Sequence, residues 1–466
     1  KNYLSIILLV LISIPVESDE FTEMFELAEQ GDAEAQISLG RMYAIGEGVP
    51  KNATTAVTWF TKAAEQGNAY SQFVLGMMYS SGEGVPKSDK TAAMWFTKAS
   101  EQGDVYSQYN LGVMYDNGEG VSQNHAEAVK WHKKAANLGF VDAQFSLGVR
   151  YAKGLGVPRN DTEAVKWYRK AADQGIGMAQ LSLALLYANG RGVPEDHVEA
   201  VKWYKKAADQ DIGQAQLNLG LAYDSGNGVP EDHAEAVKWY RKAADQGFEN
   251  AQFNLGVMYA KGLGVPRNDT EAVKWYRKAA DQGIGMAQLS LALLYANGRG
   301  VPEDHVEAVK WYKKAADQDI GQAQLNLGLA YDSGNGVPED HAEAVKWYRK
   351  AADQGFENAQ FNLGVMYAKG LGVPRNDNEA VNWYRQAADQ GYVDAQLNLG
   401  VIYEGGVGVS ENIIKAYIWW SMAKTQGSEK AARYLEILKA KMSKQQITEG
   451  QALATKCYES DYKECQ

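Results

Sequence analysis

Few side chains in this sequence could do chemistry, and their spacing says most about them. Of six histidines, His125, His197, His233, His305 and His341 share one phase of a regular pattern, and only His132 stands outside it. A catalytic base is normally singular, so five equivalent copies read as solvated helix starts. None has a second histidine four residues on, the spacing that would turn two imidazoles toward one zinc ion. "SMAK" at Ser421 to Lys424 has the S-x-x-K spacing of serine β-lactamases, a motif that needs two further partner motifs. "GEGVPK" lacks the G-K-[ST] of a phosphate loop, and "DNGEG" and "DSGNG" lack the spaced acids of a calcium loop. The expectation is therefore no catalytic residue, no metal site and no cofactor.

A polar ladder is the remaining candidate. Ser38, Val74, Asn110, Ser146, Ser182, Asn218, Asn254, Ser290, Asn326, Asn362 and Asn398 fall at one interval of 36, and ten of these eleven are Asn or Ser. A carboxamide offers a donor and an acceptor together, which makes Asn110, Asn218, Asn254, Asn326, Asn362 and Asn398 candidates for holding a ligand. The alternative is that these groups bond back to their own helix or stitch it to the equivalent helix of the adjacent repeat. The repeated Gln of "AQ", from Gln36 to Gln396, reads as structural, pinning the neighbouring corner. Tryptophans from Trp59 to Trp419 recur at the same interval, with Trp420 at the next aromatic position, and read as packing residues. Cys457 and Cys465 lie close together near the end of the chain. They pair as a disulfide if the chain is exported or stay as two thiols, and without nearby histidines they cannot complete a zinc site.

The interval of 36 also defines the elements that carry the ladder. Aligned on the "LG" pair, eleven units follow without insertion from Gly40 to Gly400, and residues 151–269 recur letter for letter as 259–377. A period of this size marks a solenoid. In the unit beginning at Phe248, Ala251, Leu255, Met258 and Tyr259 lie on one helical face, called helix A here, and "KGLGVPRN" breaks it. Asp269 then reads as the N-cap of helix B, where Ala272, Tyr276, Ala279 and Ala280 recur with helical spacing. Gly283 follows where a left-handed residue ends a helix. Asp211 and Asp319 replace that terminal glycine in two units and should strain those corners. The mid-helix glycine of "LG" costs about 0.5–1 kcal/mol relative to alanine, so it implies close approach of helix B, although Ala184 and Ala292 show that a methyl is tolerated.

Helix pairs of this length cannot bury their own apolar stripes and must stack. The expected fold is all-α, a right-handed α/α superhelical solenoid with a concave wall. The divisions are 1–18 signal peptide, 19–31 N-terminal capping helix, 32–427 eleven repeats, 428–456 C-terminal capping helices and 457–466 a tail. "KNYLSIILLVLISIPVES" has the cationic start, apolar stretch and small residue of a secretory signal. The composition is 45% hydrophobic and 23% charged, ordinary for a folded chain, with a net charge of -11. That sign disfavours nucleic acid and anionic membrane surfaces as partners. Partners would be protein or peptide, a membrane would be reached only through a partner protein, and the chain would act as a monomer.

The pattern "A-x-A-Q-x-x-L-G-x-x-Y-x-x-G-x-G-V" followed by "E-A-V-K-W-Y-x-K-A-A-D-Q-G" resembles the Sel-one-like repeats, relatives of the tetratricopeptide repeat. In the unit at Phe248 the matching positions include Ala251, Gln252, Leu255, Gly256, Tyr259, Gly262, Gly264, Trp275 and Ala279. The resemblance implies an adaptor for protein complexes, exported to the bacterial periplasm or medium, or lodged in the endoplasmic reticulum lumen in a eukaryote. It also implies that helix A lines the concave wall and that the asparagines clamp a peptide backbone. A helices spaced about 10 Å apart would give one clamp for roughly three residues of extended chain. Cysteine-rich relatives bind penicillin-like compounds. This sequence lacks their paired cysteines in each repeat, and muropeptide or β-lactam binding with weak hydrolysis stands as the alternative.

Overall fold

The computed structural model describes residues 18–462 and Cys465. Most of the expected signal segment, residues 1–17, lies outside them. Every regular element among the described residues is an α-helix, and consecutive helices pack as antiparallel pairs in a repeat solenoid. The contacts divide the chain after Asp232. The first unit runs from the helix Ser18–Glu29 through A and B helices in alternation to helix A at Gly213–Ser225. The second begins with helix B at His233–Asp245 and ends with Glu429–Lys439 and Lys444–Glu459.

Helix B is sandwiched, and its sequence explains how. In Asp269–Asp281, Ala272, Val273, Trp275, Tyr276, Ala279 and Ala280 are all buried, covering two adjacent faces that meet helix A on either side. The alanines let the helices approach closely, while Lys274 and Lys278 lie on the remaining face. A lysine lies over almost every helix B tryptophan, Lys278 standing 4.2 Å from the Trp275 ring and Lys314 3.8 Å from Trp311. The tryptophans are therefore packing residues covered by a cation–π contact.

The mid-helix glycine is explained by a ring rather than by backbone. A Cβ built on Gly256 would meet Tyr276 Cδ1 at 2.6 Å, and one on Gly328 would meet Tyr348 at the same distance. The second glycine of the "GxGV" corner has a positive φ of 66° at Gly264, where a Cβ would collide with the carbonyl oxygen of His233 at the start of the preceding helix B. The N-cap of helix B differs from the expectation. Asn268, extended at φ -149° and ψ 96°, accepts from the Glu271 N–H, and Asp269 is the first residue inside the helix. The Asp269 carboxylate is instead held by Arg299 of the next corner, at 2.9 and 3.1 Å, and by Arg267. Asp211 and Asp319 adopt φ of 59° and 61°, the left-handed region in which a side chain is strained.

A glutamine relay joins the corners. Gln252 is buried and donates to the Ala244 carbonyl at 3.1 Å, and Gln282 of the following corner donates to Gln252 Oε1 at 2.8 Å and to the Gly247 carbonyl at 3.0 Å. The same bonds recur at Gln36 with Gln66 and at Gln324 with Gln354.

At the chain's end Cys457 and Cys465 form a disulfide. Both are buried in a cluster with Tyr417, Trp420 and Leu438. At the other end Phe25 of Ser18–Glu29 meets Trp59 edge to face at 5.6 Å, and Ala28 is fully buried.

Candidate functional site

All six candidate asparagines are half-buried on helix A, Asn110 and Asn218 in the first unit and Asn254, Asn326, Asn362 and Asn398 in the second. The tyrosine of the preceding helix B holds four of them: Tyr204 pairs with Asn218, Tyr312 with Asn326, Tyr348 with Asn362 and Tyr384 with Asn398. Burial pushes the Tyr204, Tyr312 and Tyr384 hydroxyls up to about 12, so they remain neutral. These contacts do not exhaust the carboxamide. Gln214 also donates to Asn218 Oδ1 at 3.0 Å. Asn218 has two N–H groups and two acceptor lone pairs; Gln214 takes one lone pair and Tyr204 one further group, so at least one N–H stays available. Ser182 and Ser290 meet the equivalent Tyr168 and Tyr276, but each donates its single proton to its own helix, Ser182 Oγ to the Met178 carbonyl and Ser290 Oγ to that of Met286, both at 2.8 Å. Asn110 has a phenylalanine, Phe96, where the repeats above have the tyrosine, and approaches Met77 Sδ at 3.8 Å.

Beside the ladder runs a stripe that sequence reasoning missed. Three residues after each ladder position stand Met77, Val113, Val149, Leu185, Leu221, Val257, Leu293, Leu329, Val365 and Val401, with Arg41 as the exception. Leu221 and Leu329 are 44% exposed, and Leu185 and Leu293 39%. The signal was present in the letters: an apolar residue recurred at a helical position that the core does not use. In the helices Gly177–Ala188 and Gly213–Ser225 the open face, spaced i, i+4, i+7 and i+11, reads Met178, Ser182, Leu185, Asn189 and then Gln214, Asn218, Leu221, Ser225. It carries no charge. Between these helices lies a groove of about 280 Å³ with Leu185, Val201, Ala222 and Leu221 as apolar lining and Tyr204, Asn218, Asn227 and His197 as polar groups. That volume is at the low end for ligand pockets and suits one or two side chains.

A second constellation breaks the periodicity. His132 stands where other repeats have Phe, Tyr or, in the last, Trp420, and Arg150 where they have mostly Met or Leu. Asp116 receives both: His132 Nε2 lies 3.3 Å from Asp116 Oδ2, Arg150 donates to the same oxygen, and His125 Nδ1 lies 3.2 Å from Oδ1. At 1% exposure His132 is out of reach of any substrate, and burial pushes its imidazole down to about 4, keeping it neutral. The cluster is a closed ion pair within the stack. Around Asp332 the same place is filled without it, by the Tyr348 hydroxyl at 3.2 Å and by His341 at 3.0 Å, with Met366 where Arg150 stands in the first unit. Ser421 and Lys424 lie on Ile413–Thr425, the last helix B, Ser421 half-buried and Lys424 exposed. Among the described residues no group of three or more His, Cys, Asp or Glu side chains is placed to hold a metal ion, and no helix is long and apolar enough to cross a membrane.

Stacked helix pairs, glycine-ring contacts and a glutamine relay define an α-solenoid built from a single supersecondary unit. The model of the Sel1 repeat matches residues 33–68 and ten further segments through 393–428. The chain belongs to the Sel1 repeat family, whose members are generally protein-interaction scaffolds. Among solved structures it is similar to c5321, described as a protective antigen of uropathogenic Escherichia coli with this repeat fold, at 37% identity over 96% of both chains and a TM-score of 0.82. A Sel1 repeat protein from Oxalobacter formigenes is 38% identical over 65% of this chain and 88% of its own, with a TM-score of 0.51. No curated protein matches the chain.

Proposed function

We propose that the chain is an exported, non-enzymatic scaffold that holds extended polypeptide along the open face of helix A. The observation that carries this is the pairing, on one face, of half-buried Asn218 and Asn326 with the exposed Leu221 and Leu329, on rows without charge in a chain of net charge -11. Interface cores are depleted in charge relative to the rest of a protein surface, and a carboxamide ladder recognises backbone whatever the sequence. Export is supported by the apolar leader and by the disulfide at the chain's end. The description of the Escherichia coli relative as a protective antigen agrees with it.

The test is binding of residues 19–466 to a peptide library that also carries muropeptides and a β-lactam. A parallel protein has Asn218, Asn254, Asn326, Asn362 and Asn398 changed to Ala. Each lost bond to a bound backbone should cost about 0.5–1.5 kcal/mol, so peptide binding falls at least tenfold while the fold is retained. Muropeptide binding that is indifferent to the substitutions would favour a cell-wall ligand instead.

A further inference from the structure

The groove between Leu185 and Leu221 lies inside the segment that the chain repeats letter for letter 108 residues later. Its lining therefore recurs in the second unit as Leu293, Val309, Tyr312, Asn326, Leu329 and Ala330. The local structure recurs with it: Leu293 and Leu329 have the 39% and 44% exposures of Leu185 and Leu221, and Tyr312 pairs with Asn326 as Tyr204 does with Asn218. Gln322 donates to Asn326 at 3.1 Å, matching Gln214 and Asn218. The adjacent ladder positions do not share these properties. Asn110 is turned onto Met77, and the repeats at Lys153, Lys261 and Lys369 place an exposed lysine on the same face.

We infer that the chain carries two equivalent docking sites, one in each unit, each taking a neutral peptide segment that seats an apolar side chain such as Leu, Met or Phe. This rests on the peptide-binding reading above and adds to it a ligand class and a number. The charge-free rows argue the class. An Asp, Glu, Lys or Arg brought against Leu185 and Leu221 would lose hydration without meeting a counter-charge on those rows, whereas an apolar side chain loses nothing. The groove volume limits the anchor to one or two side chains, and the duplication gives both sites the same intrinsic affinity. A partner carrying the segment twice could then engage both sites of one chain, with avidity set by its linker.

The probe is a set of short, capped, fluorescent peptides with one central Leu, Met or Phe in a Ser, Asn and Gln background, alongside copies bearing Asp or Lys beside the anchor. The full chain should bind the neutral peptides with a stoichiometry of two and one affinity, and the charged copies at least tenfold more weakly. Leu185→Asp with Leu221→Asp should bring the stoichiometry to one and leave the remaining affinity unchanged. Adding Leu293→Asp and Leu329→Asp should abolish binding. Because all four leucines are exposed, helicity and the unfolding midpoint should stay at parental values, and the matching Leu→Ser variants provide a milder set. A stoichiometry of one, or tight binding insensitive to these leucines but lost with the five Asn→Ala changes, overturns the two-site inference and leaves the peptide-binding reading intact. Failure of every peptide to bind overturns both.

Discussion

Leu138 occupies the place where most other repeats have the relay glutamine, and its effect is visible at its neighbour. Gln108 Oε1 is buried without a partner, while the equivalent oxygen of Gln144 accepts from Gln174 at 2.7 Å. Leu138 is itself 62% exposed, so little packing is lost by replacing it. Leu138→Gln should therefore stabilise the first unit by about 1 kcal/mol, read as a higher denaturant midpoint with slower amide exchange around Gln108. His132 is the second special side chain. It shares Asp116 with Arg150 and His125, and burial pushes its imidazole down from 6.5 to about 4. The unfolded chain takes up this proton near 6.5. The stability that the neutral ring contributes is therefore complete above that pH and is lost as pH falls toward 4, by up to about 3 kcal/mol. His132→Tyr with Arg150→Met, which copies the pair at Tyr348 and Met366, should remove this acid-limb sensitivity; an unchanged pH profile would show that other groups dominate.

At the scale of the helix pair, the ring of helix B against the glycine of helix A sets the spacing. Gly256→Ala gains about 0.5–1 kcal/mol of helix propensity but drives a methyl against Tyr276, where overpacking costs about 1–3 kcal/mol. The net should be destabilising, and Gly256→Ala with Tyr276→Ala should show non-additive coupling in a double-mutant cycle. The elements themselves were legible in the sequence, because the apolar spacing, the corner glycines and the polar residue before helix B agreed at every repeat. The cap was misplaced by one residue because Asn268 and Asp269 are both good capping types. What told them apart was Arg299, thirty residues away, which engages Asp269. The Asp116, His132 and Arg150 cluster was not legible for a related reason. Reading by period treats each departure alone, whereas these two departures meet only because helix B of one repeat packs on helix A of the next. The ladder was legible and the leucine stripe beside it was not, since an exposed leucine is ordinary until its neighbours prove uncharged.

At the scale of each unit, helices pack on their neighbours in chain order, and in a repeat array held by nearest-neighbour contacts stability adds along the stack. Deleting residues 151–258 joins Arg150 to Tyr259 and recreates only junctions that the chain already has, because residues 259–377 repeat 151–269. The shortened protein should fold with an unfolding midpoint close to the parent's and keep one of the two peptide sites. Loss of folding would show that the units depend on more than neighbour contacts. The central claim is that ligand lies on the open face of helix A. It is tested most directly by placing a photo-crosslinking residue at Leu185, Leu221, Leu293 or Leu329 in one set and at the exposed Lys202 or Lys310 of helix B in another, each irradiated with the neutral Leu-anchored peptide. Crosslinks at the four leucine positions, competed by unlabelled peptide and absent at the two lysines, are the predicted result; competed crosslinks at the helix B positions alone would contradict the account.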